Sequence, residues 1–179
     1  MQAAYVSLGA NLPSAAGPPD ITLAAASARL ATLGRIAARS SLYSTAPVGF
    51  ADQPRFFNAA IAVETDLSPL ELLGAFLTIE QEFGRDRLLA VPDGPRSLDL
   101  DLILVGDLVL SASALELPHP RFTRRAFVLV PLGEIAPDLR DPRSGRTVPE
   151  LLAALNLSAG ELARSVARIA SPAWTAAFY

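Results

Sequence analysis

The sequence predicts an α+β fold, a ferredoxin-like sandwich with a mainly antiparallel sheet and flanking helices, and three observations predict it. Apolar patterns run in the order strand, helix, strand, strand, helix, strand. No helical pattern fits between the second and third strands, where an all-parallel doubly wound sheet would need one. At 179 residues, 51% hydrophobic and 18% charged, the chain has the length and apolar content to bury a real core as one domain. The helices are expected on one face of the sheet.

The elements follow in order. Ala4 to Leu8 has the branched and aromatic character of a first strand, ended by a turn at Gly9 to Pro13. After a loop over 14–19, Asp20 is placed to cap a helix carrying Leu23, Ala26, Leu30 and Leu33 at helical spacing, with Gly34 as its stop. Ile36 to Ser44 reads as a second strand. A loop over 45–54 bears prolines and is too long for a tight hairpin. Phe56 to Thr65 is apolar almost throughout, as a central strand is.

Ser68-Pro69-Leu70-Glu71 combines an N-cap, proline at the first helical position and a capping-box glutamate. The helix it opens carries Leu72, Leu73, Phe76, Ile79 and Phe83 as its apolar stripe, and Gly84 ends it. A loop over 85–95 leads to strands over 98–105 and 108–111, joined at Gly106-Asp107. Pro118-His119-Pro120 reads as irregular, and Arg124 to Ile135 as partly helical with a break at Pro131. Two further capping boxes, Thr147 to Glu150 and Ser158 to Glu161, open short helices in a helical tail over 147–170.

Composition excludes several chemistries. Without cysteine there are no disulfides and no thiolate metal sites, and with the single His119 a zinc site built on several imidazoles is not expected. All fifteen basic residues are arginine, so a Walker A loop and lysine Schiff-base chemistry are excluded. A formal net charge of -3 does not favour general nucleic-acid binding. The amino terminus lacks the basic start of a signal peptide, and charges interrupt every apolar run short of membrane length, so a cytoplasmic protein is the default expectation. Six arginines nevertheless fall between Gly84 and Arg125, which suits an anionic ligand.

The densest chemical signal is Gly94-Pro95-Arg96-Ser97-Leu98-Asp99-Leu100-Asp101. In a strand, Asp99 and Asp101 point to one face. Adjacent carboxylates repel, and a magnesium ion, which takes one or two carboxylates and completes its shell with water and phosphate oxygens, would relieve that repulsion. A half-buried strand with a solvated acidic face is the alternative reading of the same pair. Asn58 stands out separately, because a polar amide in an apolar strand demands a partner.

The run Leu42-Tyr43-Ser44-Thr45-Ala46-Pro47-Val48-Gly49 precedes Asp52-Gln53-Pro54 and Phe57-Asn58-Ala59-Ala60. Ile79-Glu80 with Gly84-Arg85, Gly94-Pro95-Arg96 with Asp99-Leu100-Asp101, and Pro118-His119-Pro120-Arg121 with Arg125 and Phe127 follow. In this order and spacing, over residues 4 to about 138, the chain resembles 6-hydroxymethyl-7,8-dihydropterin pyrophosphokinase of folate biosynthesis. The resemblance implies a single pyrophosphokinase domain over 1–179 that transfers pyrophosphate from ATP to the hydroxymethyl group of the pterin, releasing AMP. It implies two magnesium ions on Asp99 and Asp101, with Arg85 and Arg96 as catalytic residues neutralising the moving phosphoryl groups. It places ATP on His119, Arg125, Arg87 and Glu80, with pairing to an arginine as the other role open to Glu80. It places the pterin among Thr45, Val48, Phe56, Asn58 and Phe127. The implied partners are these small molecules, with no nucleic acid, no membrane and a monomeric state. Where the family usually has a basic residue and a tryptophan before Gly-Pro-Arg, this chain has Val91-Pro92-Asp93. A non-catalytic pterin or nucleotide binder with a degenerate catalytic loop therefore stays open as the second reading.

Overall fold

A computed structural model describes residues 1–50, 52–86, 91 and 93–176. Its elements are β1 (Gln2–Ala10), α1 (Pro19–Leu30), β2 (Arg35–Arg39), β3 (Leu42–Thr45), β4 (Phe56–Thr65), α2 (Pro69–Glu82), β5 (Asp99–Val105), β6 (Leu110–Ser111) and β7 (Glu116–Leu117). A 3-10 turn (Phe122–Arg124) then leads to α3 (Ala126–Ile135), α4 (Val148–Ala153), α5 (Ala159–Ser165), β8 (Val166–Ile169) and α6 (Pro172–Ala176). The main sheet runs β5-β1-β4-β3-β8, with β2 also pairing β4, and its named pairings are antiparallel. The α+β class and the ferredoxin-like strand order follow from the sequence pattern.

Side-chain alternation divides the sheet into two faces. Ala4, Val6 and Leu8 of β1, Ala59, Ile61 and Val63 of β4, and Leu100 and Leu102 of β5 pack with α1 and α2 in the larger core. Ala60, Ile103 and Leu104 face the other way and pack with Val128, Leu129 and Leu132 of α3 and Val148 and Leu151 of α4. Helices therefore cover both faces, not one as expected, because β5 and β4 each carry apolar residues on both sides. A register shift against β1 between Tyr5 and Val6 leaves Ile103 without an opposite residue. This bulge lets Ile103 and Leu104 both enter the second core.

Several local expectations are corrected. The span from Ile36 to Ser44 is two strands, because Ser40 leaves the regular ladder and its Oγ accepts the Ala60 N–H at 2.9 Å. Asp20 lies in the first turn of α1 and does not cap it, and its Oδ2 accepts from Ser171 Oγ at 2.8 Å. The strand expected over 108–111 is confined to β6, which pairs with β7 in a separate ribbon. Pro131 does not break α3, since it is buried on the helix face that packs on the sheet. The tail is not wholly helical, because β8 joins the edge of β3. The capping boxes at Ser68, Thr147 and Ser158 form as read.

The tail is tied in by Trp174, which is 4% exposed and donates from Nε1 to the Ser40 carbonyl at 2.9 Å. The Arg39 guanidinium lies over its ring at 4.1 Å. Trp174→Ala is expected to cost about 3–5 kcal/mol of unfolding free energy, measured by urea titration with far-UV circular dichroism. A loss below about 1 kcal/mol would show that α6 contributes little to the packed fold.

Candidate active site

The second face of the sheet is open where α3 and α4 stop short, and its floor is set by register. Asp99 lies opposite Gly9, Gly9 opposite Asn58 and Asn58 opposite Tyr43; one rung along, Asp101 lies opposite Ser7. Asn58 is 4% exposed and donates from Nδ2 to Thr45 Oγ1 at 2.6 Å. A Cβ on Gly9 would stand 2.8 Å from Asn58 Oδ1, so any larger residue there would have to displace the amide. A glycine inside a strand marks such close approach, but the sequence pattern placed Gly9 in a turn, whereas β1 runs through it to Ala10.

A cavity of about 220 Å³ stands over this floor. Thr45, Val48, Phe56, Asn58, Phe127, Arg96, Asp99, Asp101 and Arg125 from the sequence prediction all line it. Val48 is 66% exposed and stands at its mouth. Ser7, Gly9, Ala46 and Asp93 also line it and were missed, since they acquire a role only from their neighbours across the sheet or loop. An adjoining cavity of about 290 Å³ adds Arg85, Val91, Gly94 and Pro95 and shares Arg96, Asp99, Asp101, Arg121 and Arg125 with the first. The slot thus opens directly onto the charged pair. Arg87 and Pro92 lie outside the described residues.

Each carboxylate of the pair is met by cations. Arg96 Nη2 lies 2.9 Å from Asp99 Oδ2, and Arg85 Nη1 pairs with Asp99 Oδ1. Arg125 Nη1 and His119 Nε2 approach Asp101 Oδ2 at 3.5 and 3.9 Å. His119 is delivered by its own backbone, whose N–H donates to the Ile103 carbonyl at 2.9 Å on the free edge of β5. Its Nδ1 accepts the Arg121 N–H at 3.2 Å, which leaves Nε2 as the protonated nitrogen. Guanidinium groups also cover both aromatics, Arg96 over Phe56 at 4.8 Å and Arg125 over Phe127 at 5.4 Å.

Burial, and after it the Asp99 carboxylate, push the Asp101 carboxyl above its usual range against the pull of His119, Arg125 and Arg96. Burial lowers His119 further than Asp101 restores it, so the imidazole is neutral at pH 7. Burial also works to lower Arg85, and the carboxylates of Asp99 and Glu80 more than reverse it. Glu80 is 1% exposed; its Oε1 accepts from Arg85 Nη1 at 2.6 Å and from the Leu100 N–H at 2.9 Å, so it fastens Arg85 to the strand between the two aspartates.

The backbone of Arg96 is gripped from both sides by Asn11. Asn11 Oδ1 accepts the Arg96 N–H at 2.8 Å, and the Asn11 N–H donates to the Arg96 carbonyl at 3.0 Å. Asn11 Nδ2 donates to Gln53 Oε1 and to the Pro54 carbonyl, both at 3.0 Å, tying the arginine loop to the segment before Phe56. Nothing in the sequence pattern marked Asn11 for this position.

Among the described residues, no group of three or more His, Cys, Asp and Glu side chains is placed to hold a metal ion. The two aspartates alone suit magnesium, whose remaining positions go to water and substrate phosphates. Arg85 Nε and Arg96 Nε are buried with no hydrogen-bond partner among the described residues, and phosphate oxygens would satisfy both.

Comparison with known proteins bears on this arrangement. The family model described as 7,8-dihydro-6-hydroxymethylpterin-pyrophosphokinase (HPPK) matches residues 5–137. The chain belongs to the HPPK family. A 2-amino-4-hydroxy-6-hydroxymethyldihydropteridine pyrophosphokinase of Pseudomonas aeruginosa is 49% identical over 156 residues, 86% of this chain and 92% of that one. A protein of the same name from Synechocystis is 45% identical over 158 residues, 87% of this chain and 77% of that one. In three dimensions, the HPPK fold recurs in the Plasmodium falciparum HPPK-DHPS with TM-score 0.70 and 16% identity, over 96% of this chain. This chain spans about half of that longer protein, 48% of its length.

Gly9→Ala is expected to displace the Asn58 amide, break its bond to Thr45 and cost about 1–2 kcal/mol. A thermal melt and the Asn58 side-chain amide resonances report both effects. Unchanged resonances would mean that Gly9 is not what makes room for Asn58.

Proposed function

We propose that this HPPK family member transfers pyrophosphate from ATP to the hydroxymethyl group of 6-hydroxymethyl-7,8-dihydropterin, releasing AMP. The observation that carries this reading is the continuity of two unlike environments in one cavity. An aromatic-walled slot over Asn58 opens directly onto Asp99, Asp101 and their ring of arginines. A flat polar heterocycle suits the first and a polyphosphate suits the second.

In this reading the pterin ring lies between Phe56 and Phe127, with Thr45 and Val48 along its side and the Asn58 amide at its edge. Asp99 and Asp101 hold magnesium, two ions by the family resemblance, whose positive charge offsets that of the triphosphate and acidifies the attacking hydroxyl when bound. The hydroxymethyl oxygen bonds to the β-phosphorus as that phosphorus loses its bond to the α–β bridging oxygen; the hydroxyl proton passes to water, and AMP leaves carrying the bridging oxygen. Arg85 and Arg96, which lie on Asp99, turn their forks to the phosphate oxygens on which charge accumulates. Glu80 positions Arg85 from behind and does not itself contact ATP. Neutral His119 donates from Nε2, and Arg125 supplies charge, on the ATP side of Asp101. Arg87 completes the ATP contacts by the same resemblance. The smallest unit that carries the activity is proposed to be the whole chain acting as a monomer.

The test is AMP formation from ATP and the hydroxymethyl pterin with and without magnesium. Tight binding of both ligands without AMP would turn the reading into that of a binding protein. Asp101→Ala is expected to reduce magnesium-dependent turnover at least about 10³-fold with the melting temperature retained; near-normal turnover would remove the metal assignment. Arg96→Ala is expected to lower kcat about 10²- to 10³-fold while the pterin dissociation constant, by equilibrium titration, changes far less. The opposite split would make Arg96 a binding residue.

A further inference from the structure

The family match ends at residue 137, yet the chain beyond it returns to β3, the strand whose end forms part of the cavity wall. β8 lies beside β3 with Tyr43 opposite Arg168, Ser44 opposite Ala167 and Thr45 opposite Val166. The pairing continues past the strand, because the Ala46 N–H donates to the Ser165 carbonyl at 2.9 Å. Thr45 and Ala46 are at the same time lining residues of the slot.

One side chain clamps this pairing. Arg55 donates from Nε to Ser44 Oγ at 2.9 Å, and from Nη2 to the Ser44 carbonyl at 3.0 Å and the Arg164 carbonyl at 3.2 Å. Arg164 lies in the last turn of α5, where carbonyls lack helical partners and attract a cation. Arg55 therefore bridges β3 to the end of α5, immediately before Phe56 in sequence. The wall it supports is thin. A third cavity of about 390 Å³ lies behind it, bounded by Ala46, Val48 and Phe127 on one side and by Leu155, Leu157 and Val166 on the other. With space on both sides of Ala46 and Val48, the wall is held at Thr45 and Ala46 by their backbone pairing with Val166 and Ser165 more than by packing.

We propose that β8 and its clamp Arg55 form a positioning element for the pterin side of the cavity, holding the wall from Thr45 to Val48 at the spacing a flat ring requires. This rests on the reading of that cavity as the pterin slot. Arg55 acts through the wall and touches neither substrate. Removing the clamp loosens the slot and leaves the phosphate end untouched, since Arg85, Arg96, Asp99 and Asp101 are anchored on β5 and on Asn11.

The test is steady-state AMP formation by the full chain, varying pterin at saturating ATP and then ATP at saturating pterin. Arg55→Ala is expected to raise the KM for the pterin about tenfold, with the KM for ATP, kcat and the melting temperature nearly unchanged. Arg55→Lys, which can still donate to Ser44, is expected to recover most of the loss. A pterin KM indifferent to Arg55 in an enzyme that turns over normally would overturn this inference and leave the proposed function standing. Equal rises in both KM values with a lowered melting temperature would overturn it by making Arg55 merely structural. If the unaltered chain makes no AMP from ATP and the pterin, the functional reading fails and this inference fails with it.

Discussion

The mutual repulsion of Asp99 and Asp101 is the constraint to which the rest of the site answers. Burial and the Asp99 carboxylate raise the cost of ionising Asp101, and the fold surrounds the pair with Arg85, Arg96, Arg125 and His119. The partners arrive from different parts of the chain. Arg85 follows α2, Arg96 precedes β5, and His119 and Arg125 flank the 3-10 turn before α3. Guanidinium and imidazole groups that neutralise carboxylates also have the chemistry to meet phosphate oxygens, so charge balance in the cavity and suitability for a polyphosphate rest on the same physical property.

The sheet makes this arrangement possible by keeping one region of one face uncovered. Leu98, Leu100 and Leu102 anchor β5 in the larger core, which fixes the direction of Asp99 and Asp101. The bulge at Ile103 then returns apolar side chains to the second face, where α3 needs them. Polar floor and apolar core are therefore neighbours on the same strands, separated by the point where α3 begins. Gly9 serves the same end by leaving room for Asn58 between β1 and β4.

Much of the site was legible because its chemistry sits in short ordered motifs. Asp-x-Asp alternates at strand period, Asn58 interrupts an apolar strand, and six of the fifteen arginines fall between Gly84 and Arg125. What was not legible depends on partners distant in the chain. Glu80 read equally as a ligand contact or an arginine partner, and its bonds to Arg85 and the Leu100 amide join segments that only the fold brings together. Asn11, Ser7 and Gly9 look like ordinary strand-end residues until β4, β5 and the arginine loop are set beside them. The edge strand β8 was hidden because Val166 to Ile169 is too short to announce itself without β3 to pair with.

The sequence by itself determined the alternation of strands and helices that sets the fold class, the capping boxes, that the two aspartates share a face, and the exclusion of lysine, cysteine and multi-histidine chemistry. These follow from local rules: period, cap residues and the inventory of functional groups. The tertiary structure alone decided that helices cover both faces, that Pro131 lies within a continuous helix, and that the carboxy-terminal segment backs the slot. It also decided which arginine meets which carboxylate. Those outcomes turn on burial and register between segments far apart in the chain, where the free energy belongs to pairs of residues and neither member carries it alone.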